Sequence, residues 1–537
     1  MPRSSTKALT FPLAGVSRRG SYRQQTRPYS APWALNVRTD GPTESRQRGG
    51  SRPGLSRFSA TDLGSPATSL IPITYLDASG VRQHDLVYVL EDGTMGFMRA
   101  GANNSLTAEL EGPDGVDILT DDDDTIVFDA VVSSGLSAGA DLAGIQGAVR
   151  AGKLYLADST LKRYDPSSGV VEPVTATAGT VPTGQPLIAN YRDRIVLAGS
   201  SQAVYCSRLG TPTDWDYGAA IEDTGGAIVL QTGFSGRMGF TLTALIPVDD
   251  EHLVLASSNE LWVLYGDPVT GRLRNVSEEI GVVAPGAWAM SPDGLLAFLS
   301  NDGVYVWQAG SGQHPTRFSE ERVPDELREV DTTANTVSMA YDPNERGFHL
   351  FVTPSSGNGT HWWIDFDNKA LWPQRLVATQ QPLSVALMSE AGLGNVVLGS
   401  KDNYLRYFVD GVVTDDGQTL TSHVLIGPVR IAADDVRDAL LAEIHGVMDE
   451  LGGTVTWRVV MGRSASEVAE AAKADLDAVV GGGSPSNVSA SGTWTEGRGY
   501  VSRPRSRGAW LVIWLSSDNK WSFEVVAIVA RQLGRHR

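Results

Sequence analysis

The chain has 537 residues, of which 41% are hydrophobic and 20% charged, so it contains ample material for a buried core and is not mainly disordered. Its 58 Gly and 27 Pro residues favour many turns over long helices. The formal net charge of −18 argues against a nucleic-acid-binding protein that works through a broadly basic surface. The single cysteine, Cys206, excludes an intramolecular disulfide and a cysteine zinc cluster.

The charge is unevenly distributed along the chain. Residues 1–60 contain eleven Lys or Arg and two Asp or Glu, a net of +9, and residues 500–537 contain seven and two, a net of +5. The residues between them contain 26 basic and 58 acidic side chains, a net of −32. This pattern fits either a solvated acidic globule with a basic tail or basic ends that dock on acidic surfaces of like chains.

The first 60 residues show little periodicity and no obvious core. We interpret residues 1–60 as a basic assembly arm that becomes ordered only against a partner. Removal of this arm is then expected to weaken assembly and to leave the rest of the protein folded.

One hairpin pattern recurs through the body of the chain: an alternating apolar strand, a turn of small or Gly/Asp/Asn residues, and a second strand with an aromatic residue. It occurs at residues 85–97, 153–164, 194–205, 252–265, 295–307, 348–363 and 395–408. The steps between copies are 41 to 67 residues, near the length of a four-stranded blade. The pattern predicts a β-propeller of six or seven blades over residues 61–414, and the alternative is a row of hairpins in a β-sandwich.

Residues 415–537 are predicted to form a small α+β assembly domain. Ser464 and Glu467 have the spacing of a capping box, and they precede a helical face formed by Val468, Ala472, Leu476 and Val479. Strand-like runs at 454–461, 509–515 and 521–530 flank this helix.

The sequence contains almost no catalytic or metal-binding motif. The chain has no histidine pair of the HExxH kind, no P-loop and no GxSxG motif. The acidic run Asp121, Asp122, Asp123 and Asp124 is a possible acidic channel or surface, and its spacing fits a solvated turn better than a calcium loop. The sequence therefore predicts no cofactor, no metal site and no catalytic residue, and its apolar runs are too short to span a membrane.

Three stretches together resemble the tail nozzle proteins, also called tail tubular protein B, of short-tailed bacteriophages. The first is APWALNVRTDGPTESRQRGGSRPGLSRF at 31–58, the second is YRDRIVLAGSSQAVYCSRLGTPTDWDY at 191–217, and the third begins with RPRSRGAW at 503–510. The positions that match the family motif in the second stretch are Arg194, Ser207, Arg208, Gly210, Pro212 and Trp215.

The resemblance implies a structural subunit of a virion tail, made in the host cytoplasm. It implies a homohexameric tube below the portal and the adaptor (head-to-tail connector) ring, with tail fibres or spikes nearby. The genomic DNA would pass through the channel during ejection without specific binding, and an acidic wall suits this because it repels phosphate.

The candidate interface residues are arginines of the two basic ends, because arginine forms bidentate contacts with carboxylates. They are Arg46, Arg48, Arg52, Arg503, Arg505 and Arg507. Trp215 and Trp307 are expected to be core residues.

Two rival hypotheses remain open. One is a propeller enzyme that degrades a glycan, such as a virion depolymerase of the glycoside hydrolase or lyase class, which predicts a cluster of Asp and Glu at the mouth of the propeller axis. The other is a protein-binding propeller, which leaves the Arg-rich ends without a role.

Overall fold

The structure is a computed structural model, and it describes residues 4–17, 30–40, 48–59, 61–77, 79–99, 128–133, 136, 144–218, 223–231, 241–318, 325–390, 393–434, 437–450, 452–495 and 500–535. Within these residues the protein is mainly β and has one α-helix. Arg46 and the acidic run Asp121–Asp124 lie outside the described residues.

Short strands come first in the chain, ahead of the repeated sheets. They are β1 (Ser4–Thr10), β2 (Ala34–Leu35), β3 (Val37–Thr39), β4 (Gly49–Ser51) and β5 (Gly54–Arg57).

Within the described residues, the body consists of six successive antiparallel four-stranded sheets, a small parallel pair and a last sheet of six strands. The first three sheets and a small parallel pair use β6 (Ala67–Leu76), β7 (Arg82–Leu90), β8 (Met95–Arg99), β9 (Phe128–Ser133), β10 (Gln146–Arg150), β11 (Lys153–Ala157), β12 (Leu161–Asp165), β13 (Val170–Pro173), β14 (Ala178–Gly179), β15 (Leu187–Tyr191), β16 (Arg194–Ala198), β17 (Ala203–Cys206), β18 (Asp214–Trp215) and β19 (Ile228–Gln231). The later sheets use β20 (Ala244–Asp249), β21 (His252–Ala256), β22 (Leu261–Tyr265), β23 (Arg272–Ser277), β24 (Trp288–Met290), β25 (Leu295–Ser300), β26 (Gly303–Gln308), β27 (Thr316–Arg317), β28 (Asn335–Asp342), β29 (Gly347–Pro354), β30 (Thr360–Asp365), β31 (Ala370–Gln374), β32 (Pro382–Glu390), β33 (Leu393–Ser400), β34 (Leu405–Val409), β35 (Thr414–Asp415) and β36 (Gln418–Thr419). Two 3₁₀ turns lie at Asp325–Leu327 and Ala378–Gln380.

The sheets follow one another in chain order, and their first strands contact each other. Strand β10 contacts β15, β24 contacts β28, β28 contacts β32, and β32 contacts β6, so that the last sheet lies beside the first. Repeated four-stranded sheets arranged in this way form a β-propeller. Each of the seven predicted hairpins is present as the second and third strand of one of these sheets.

The C-terminal part contains β37 (Ser422–Arg430), β38 (Arg437–Met448), β39 (Val455–Gly462), the helix α1 (Ala465–Val480), β40 (Val488–Trp494), β41 (Tyr500–Ser502), β42 (Ser506–Gly508), β43 (Trp510–Ser517) and β44 (Ser522–Arg535). One sheet has the order β2-β37-β43-β39-β40, and a second has the order β3-β4-β44-β38-β41, with β1 paired to β44 and β42 paired to β38. We call these two sheets and α1 the terminal sheets.

Helix α1 begins and packs as the sequence predicts. The Ser464 hydroxyl accepts a hydrogen bond from the Glu467 amide at 3.2 Å, and the Glu467 carboxylate accepts one from the Ser464 amide at 3.3 Å. Val468, Ala472 and Leu476 are buried, because their spacing of four residues places them on one face against the sheet.

The prediction of a separate N-terminal arm is wrong for the described part of residues 1–60. Strand β1 pairs with β44, β2 with β37 and β4 with β44, while β5 pairs with β34 and completes the last sheet of the body. The sequence shows little periodicity here because β2 to β5 are only two to four residues long and the five strands are divided among three sheets, with most of their hydrogen-bonding partners hundreds of residues away.

Phe11 shows how firmly this segment is built into the core. Its ring lies 5.2 Å from the ring of Trp372 in the body and 5.3 Å from the ring of Phe523 in the terminal sheets. Its side chain is fully buried, so the N-terminal segment supplies core contacts between the body and the terminal sheets.

Candidate assembly surface and cavities

The described arginines of the N-terminal segment are paired inside the chain. Arg48 forms an ion pair with Asp40 at 2.6 Å and lies 3.8 Å from Asp449. Its side chain is mostly buried, which limits what it can offer to a partner.

Arg52 is an internal residue rather than an interface residue. Its guanidinium group donates to both carboxylate oxygens of Asp415, at 2.9 and 2.5 Å, and to Asn36 Oδ1 at 3.2 Å. Its remaining N–H groups reach the backbone carbonyls of Pro53 and Arg375. Because the side chain is completely buried and its donors are used within the chain, it has nothing left for a second molecule.

The C-terminal arginines are placed differently. Arg503, Arg505 and Arg507 are exposed, and the Arg503 side chain is 69% accessible although its Nε lies 3.3 Å from Glu443 Oε1. Surface ion pairs of this kind contribute little to stability, so these cations can contact a partner at little cost.

Arg507 lies in a row of side chains on the outer face of the seven-stranded sheet. The strand register places Arg507 opposite Leu440, and Leu440 opposite Arg531. The neighbouring residues Ala439 and Leu441 are buried, so Leu440 and the two arginines face outward. The row therefore combines two cations with a partly exposed leucine.

Further along the same face, small and apolar side chains lie beside His445, whose Nε2 is 3.1 Å from Glu443 Oε2. Val501 is 55% exposed and lies opposite His445, which in turn lies opposite Ala527. We call this outer face, with Arg503, Arg507, Arg531, Val501 and Ala527, the assembly face. Exposed apolar side chains mixed with arginines are common in protein interfaces.

The residues that match the family motif around 194–215 come together in the third sheet of the body. Arg194 is fully buried and donates to the backbone carbonyls of Ser207, Gly226 and Thr224, with Asp267 at 3.4 Å. The Ser207 hydroxyl accepts a hydrogen bond from the Ile195 amide at 3.0 Å. These two residues therefore hold the fold of this sheet together.

The rest of the motif forms a turn beside them. Arg208 pairs with Asp223 at 2.8 Å, and Gly210 has a φ of 73°, which favours glycine. Trp215 is buried and its indole N–H donates to the Pro212 carbonyl at 3.0 Å. Trp307 is also buried, so the prediction that both tryptophans are core residues is confirmed.

A cavity of about 370 Å³ lies between the first strands of the body sheets. Its walls are apolar and amide groups, including Val149, Leu187, Leu245, Pro247 and Trp288. Among the described residues, no group of three His, Cys, Asp or Glu side chains is placed to hold a metal ion. The carboxylate cluster that the depolymerase hypothesis predicts does not occur in the walls of this cavity.

A larger cavity of about 720 Å³, which we call the terminal cavity, lies where the five-stranded sheet meets the body. The strand register aligns His423, Ser516 and Thr456 across β37, β43 and β39, and all three line the cavity. Arg458 lies two residues beyond Thr456 on the same strand and also lines it.

The His423 ring is neutral, and a hydrogen bond holds it in place. Its Nδ1 accepts a hydrogen bond from the Trp514 indole N–H at 3.3 Å, which places the ring hydrogen on Nε2. Burial lowers the pKa of His423 to about 4, so the ring is neutral at pH 7.

Sequence reasoning missed His423, Arg458 and Ser516. The strand that contains Arg458 was predicted, and its alternation of Thr454, Thr456 and Arg458 was an available signal of a polar face. Its apposition to His423 and Ser516 depends on tertiary pairing that no local pattern reveals.

No helix in the described part of the chain is both long and apolar enough to cross a bilayer.

The sequence matches no known protein family, and no curated protein matches it. Among solved structures, the chain is similar to the WD40 β-propeller domain of Doa1, with 12% identity, a TM-score of 0.36, and coverage of 66% of this chain and 97% of that one. It is also similar to a chain of the mitotic checkpoint complex, with 11% identity, a TM-score of 0.38, and coverage of 66% and 94%. A third similar structure, U3-55K, has 11% identity, a TM-score of 0.38, and coverage of 66% and 99%.

Proposed function

We propose that this protein is a non-enzymatic structural subunit of a virion tail, of the tail-nozzle class, that assembles with copies of itself into a ring. The observation that carries the proposal is the assembly face, a basic and partly apolar surface on a chain whose middle residues carry a net charge of −32. In the proposed particle the ring is a homohexamer that contacts an adaptor ring and tail fibres or spikes.

The body is proposed to be a propeller of seven blades. In this proposal the seventh blade is formed by β32, β33 and β34 from the end of the body and β5 from the N-terminal segment, which are neighbours in one six-stranded sheet. Closure by a strand from the other end of the repeat ties the first and last blades together, which suits a rigid part of a particle.

Electrostatic complementarity supports self-assembly. Arg503, Arg505 and Arg507 are exposed cations, and the body has exposed carboxylates, such as Glu251 and Asp410, whose ion pairs with Arg192 and Lys520 lie at the surface and are therefore weak. Attraction between unlike surfaces of copies gives a head-to-tail contact, and such contacts form a ring when the rotation from one copy to the next closes the circle.

The same charge distribution supports the proposed passage of DNA. An acidic wall repels the phosphate backbone, whereas a basic wall releases counterions and holds the duplex. The acidic residues of the body are therefore proposed to face the channel or the outside, and the assembly face is proposed to be covered by a neighbouring subunit.

The experiment compares the mass of the wild-type protein with that of the triple variant Arg503→Gln, Arg505→Gln and Arg507→Gln, by light scattering and sedimentation at 50 and 500 mM salt. We expect wild type to form rings at low salt, visible by negative-stain microscopy, and the variant to remain monomeric. A matched variant that removes the same charge from exposed sites in the body, Arg82→Gln, Arg272→Gln and Arg328→Gln, is expected to assemble as wild type does.

A wild-type protein that stays monomeric at every concentration and salt would contradict the proposal, as would equal loss of assembly in the two variants.

A further inference from the structure

The terminal cavity contains a cation without an anion. Arg458 Nη1 donates to Ser516 Oγ at 2.7 Å, and the guanidinium carbon lies 4.3 Å from the centre of the Trp514 ring. No carboxylate of the described residues lies within ion-pair distance of Arg458. Burial removes part of the water around this charge and lowers the pKa of Arg458, and the smaller effect of Asp475 raises it.

Among the described residues, the arginines whose side chains are almost completely buried have carboxylate partners. Arg52 pairs with Asp415, Arg194 lies 3.4 Å from Asp267, and Arg406 pairs with Asp402 and Asp416. Burial of a charge without a partner is unfavourable, so a half-buried arginine that lines an open cavity favours a ligand that brings the missing negative charge.

The rest of the lining selects for hydroxyl groups. The lining includes His423, whose ring hydrogen is on Nε2, the hydroxyl residues Ser516 and Thr456, and the exposed side-chain amide of Asn519. Hydroxyls and amides that point into a cavity pair well with the alternating donors and acceptors of a sugar. Apolar side chains on one side, from Leu376 and Val377 and from the end of α1, provide a surface for C–H groups.

The size of the cavity fits a small ligand. Its volume of about 720 Å³ lies within the usual range of roughly 300–1,000 Å³ for small-molecule sites. Asp415 also lines the cavity, but Arg52 neutralises it, so Asp518 is the remaining carboxylate of the lining, against the two cations Arg375 and Arg458.

We propose that the terminal cavity binds an anionic sugar, a small polyhydroxylated ligand that bears a carboxylate or a phosphate group. Arg458 holds the anionic group through its free N–H donors, and the row of His423, Ser516 and Thr456 binds the ring hydroxyls. This site is separate from the assembly face, and its occupation does not depend on ring formation.

The test measures binding by calorimetry and by saturation-transfer NMR with five probes: glucuronate, glucose 6-phosphate, glucose, acetate and inorganic phosphate. We expect glucuronate or glucose 6-phosphate to bind at least tenfold more tightly than glucose, acetate or phosphate. The better of the two anionic sugars identifies the anionic group. Equal binding of glucose and both anionic sugars, or binding of none of the five probes, would overturn the proposal.

The variants locate the site. Arg458→Gln is expected to weaken binding of the preferred anionic sugar at least tenfold, and Arg503→Gln, on the assembly face, is expected to leave it unchanged. Thr456→Val keeps the size of the side chain, removes one hydroxyl, and is expected to weaken binding several-fold. If Arg458→Gln does not fold, Thr456→Val decides, and unchanged affinity in that variant refutes the assignment.

Discussion

The buried ion pair of Arg52 and Asp415 allows a direct test of whether the N-terminal segment is part of the folded body. Replacement of Arg52 by Met removes both hydrogen bonds to Asp415, at 2.9 and 2.5 Å, and leaves that carboxylate buried without its cation. Removal of one partner of a buried pair costs about 3–5 kcal/mol. Met keeps much of the side-chain volume, so loss of packing adds little to this value.

The control is Arg57→Met, five residues later in the same segment. Arg57 pairs with Asp416 at 2.8 Å, but its side chain is 45% exposed, and exposed pairs contribute about 0–1 kcal/mol. The assay is unfolding in guanidinium chloride, followed by tryptophan fluorescence and circular dichroism. We expect a large decrease in the free energy of unfolding for Arg52→Met and a small one for Arg57→Met.

A double variant separates the charge from the packing. The variant that combines Arg52→Met with Asp415→Leu leaves neither charge of this pair buried alone. Its free energy of unfolding is therefore expected to decrease less than that of Arg52→Met. If Arg52→Met and Arg57→Met cost the same small amount, below about 1 kcal/mol, then Arg52 is not held as the structure has it, and an independent arm becomes the better description.

Three further predictions concern burial. Phe11→Ala is expected to lower the free energy of unfolding by about 3–5 kcal/mol in the same assay, because it opens a cavity between the body and the terminal sheets, and a loss below 1 kcal/mol would contradict the core position. Burial lowers the pKa of His361 to about 3 and of His423 to about 4, from about 6.5 in the unfolded chain, so the unfolded state binds more protons and stability falls as the pH drops below 6.5. At pH 5 each histidine is expected to lower the free energy of unfolding by about 2 kcal/mol. The double variant His361→Gln and His423→Gln should therefore lose less stability between pH 7 and pH 5 than wild type or the control His84→Gln, as measured by denaturation midpoints. Burial also raises the pKa of the Cys206 thiol to about 12, so iodoacetamide is expected to modify it only after unfolding, and rapid labelling of the native protein would show that the thiol is accessible.

The sequence was informative wherever structure depends on local pattern. Alternation of apolar residues around a Gly, Asp or Asn turn located the hairpins, since both strands and the turn lie within about 15 residues. The capping box and the spacing of four residues located α1 for the same reason. These elements specify their own geometry before any distant contact forms.

Features that depend on distant partners were missed. Strand β5 pairs with β34, about 350 residues away, and nothing in the residues Gly54–Arg57 themselves indicates that partner. The terminal cavity is likewise assembled from β37, β39 and β43, so its residues lie on predicted or predictable strands while their common face does not show in the sequence.

The basic ends of the chain differ from the sequence-based expectation in where their arginines find partners. Docking of both ends on acidic surfaces was expected between molecules, yet at the N-terminal end it takes place within one molecule: Arg38 pairs with Glu345, Arg52 with Asp415 and Arg57 with Asp416. These ion pairs join the N-terminal segment to the acidic body and neutralise part of its charge. The C-terminal Arg503, Arg505 and Arg507 remain at the surface, so a charge-driven contact with another copy is expected to depend on them and to be insensitive to the described arginines of the first 60 residues.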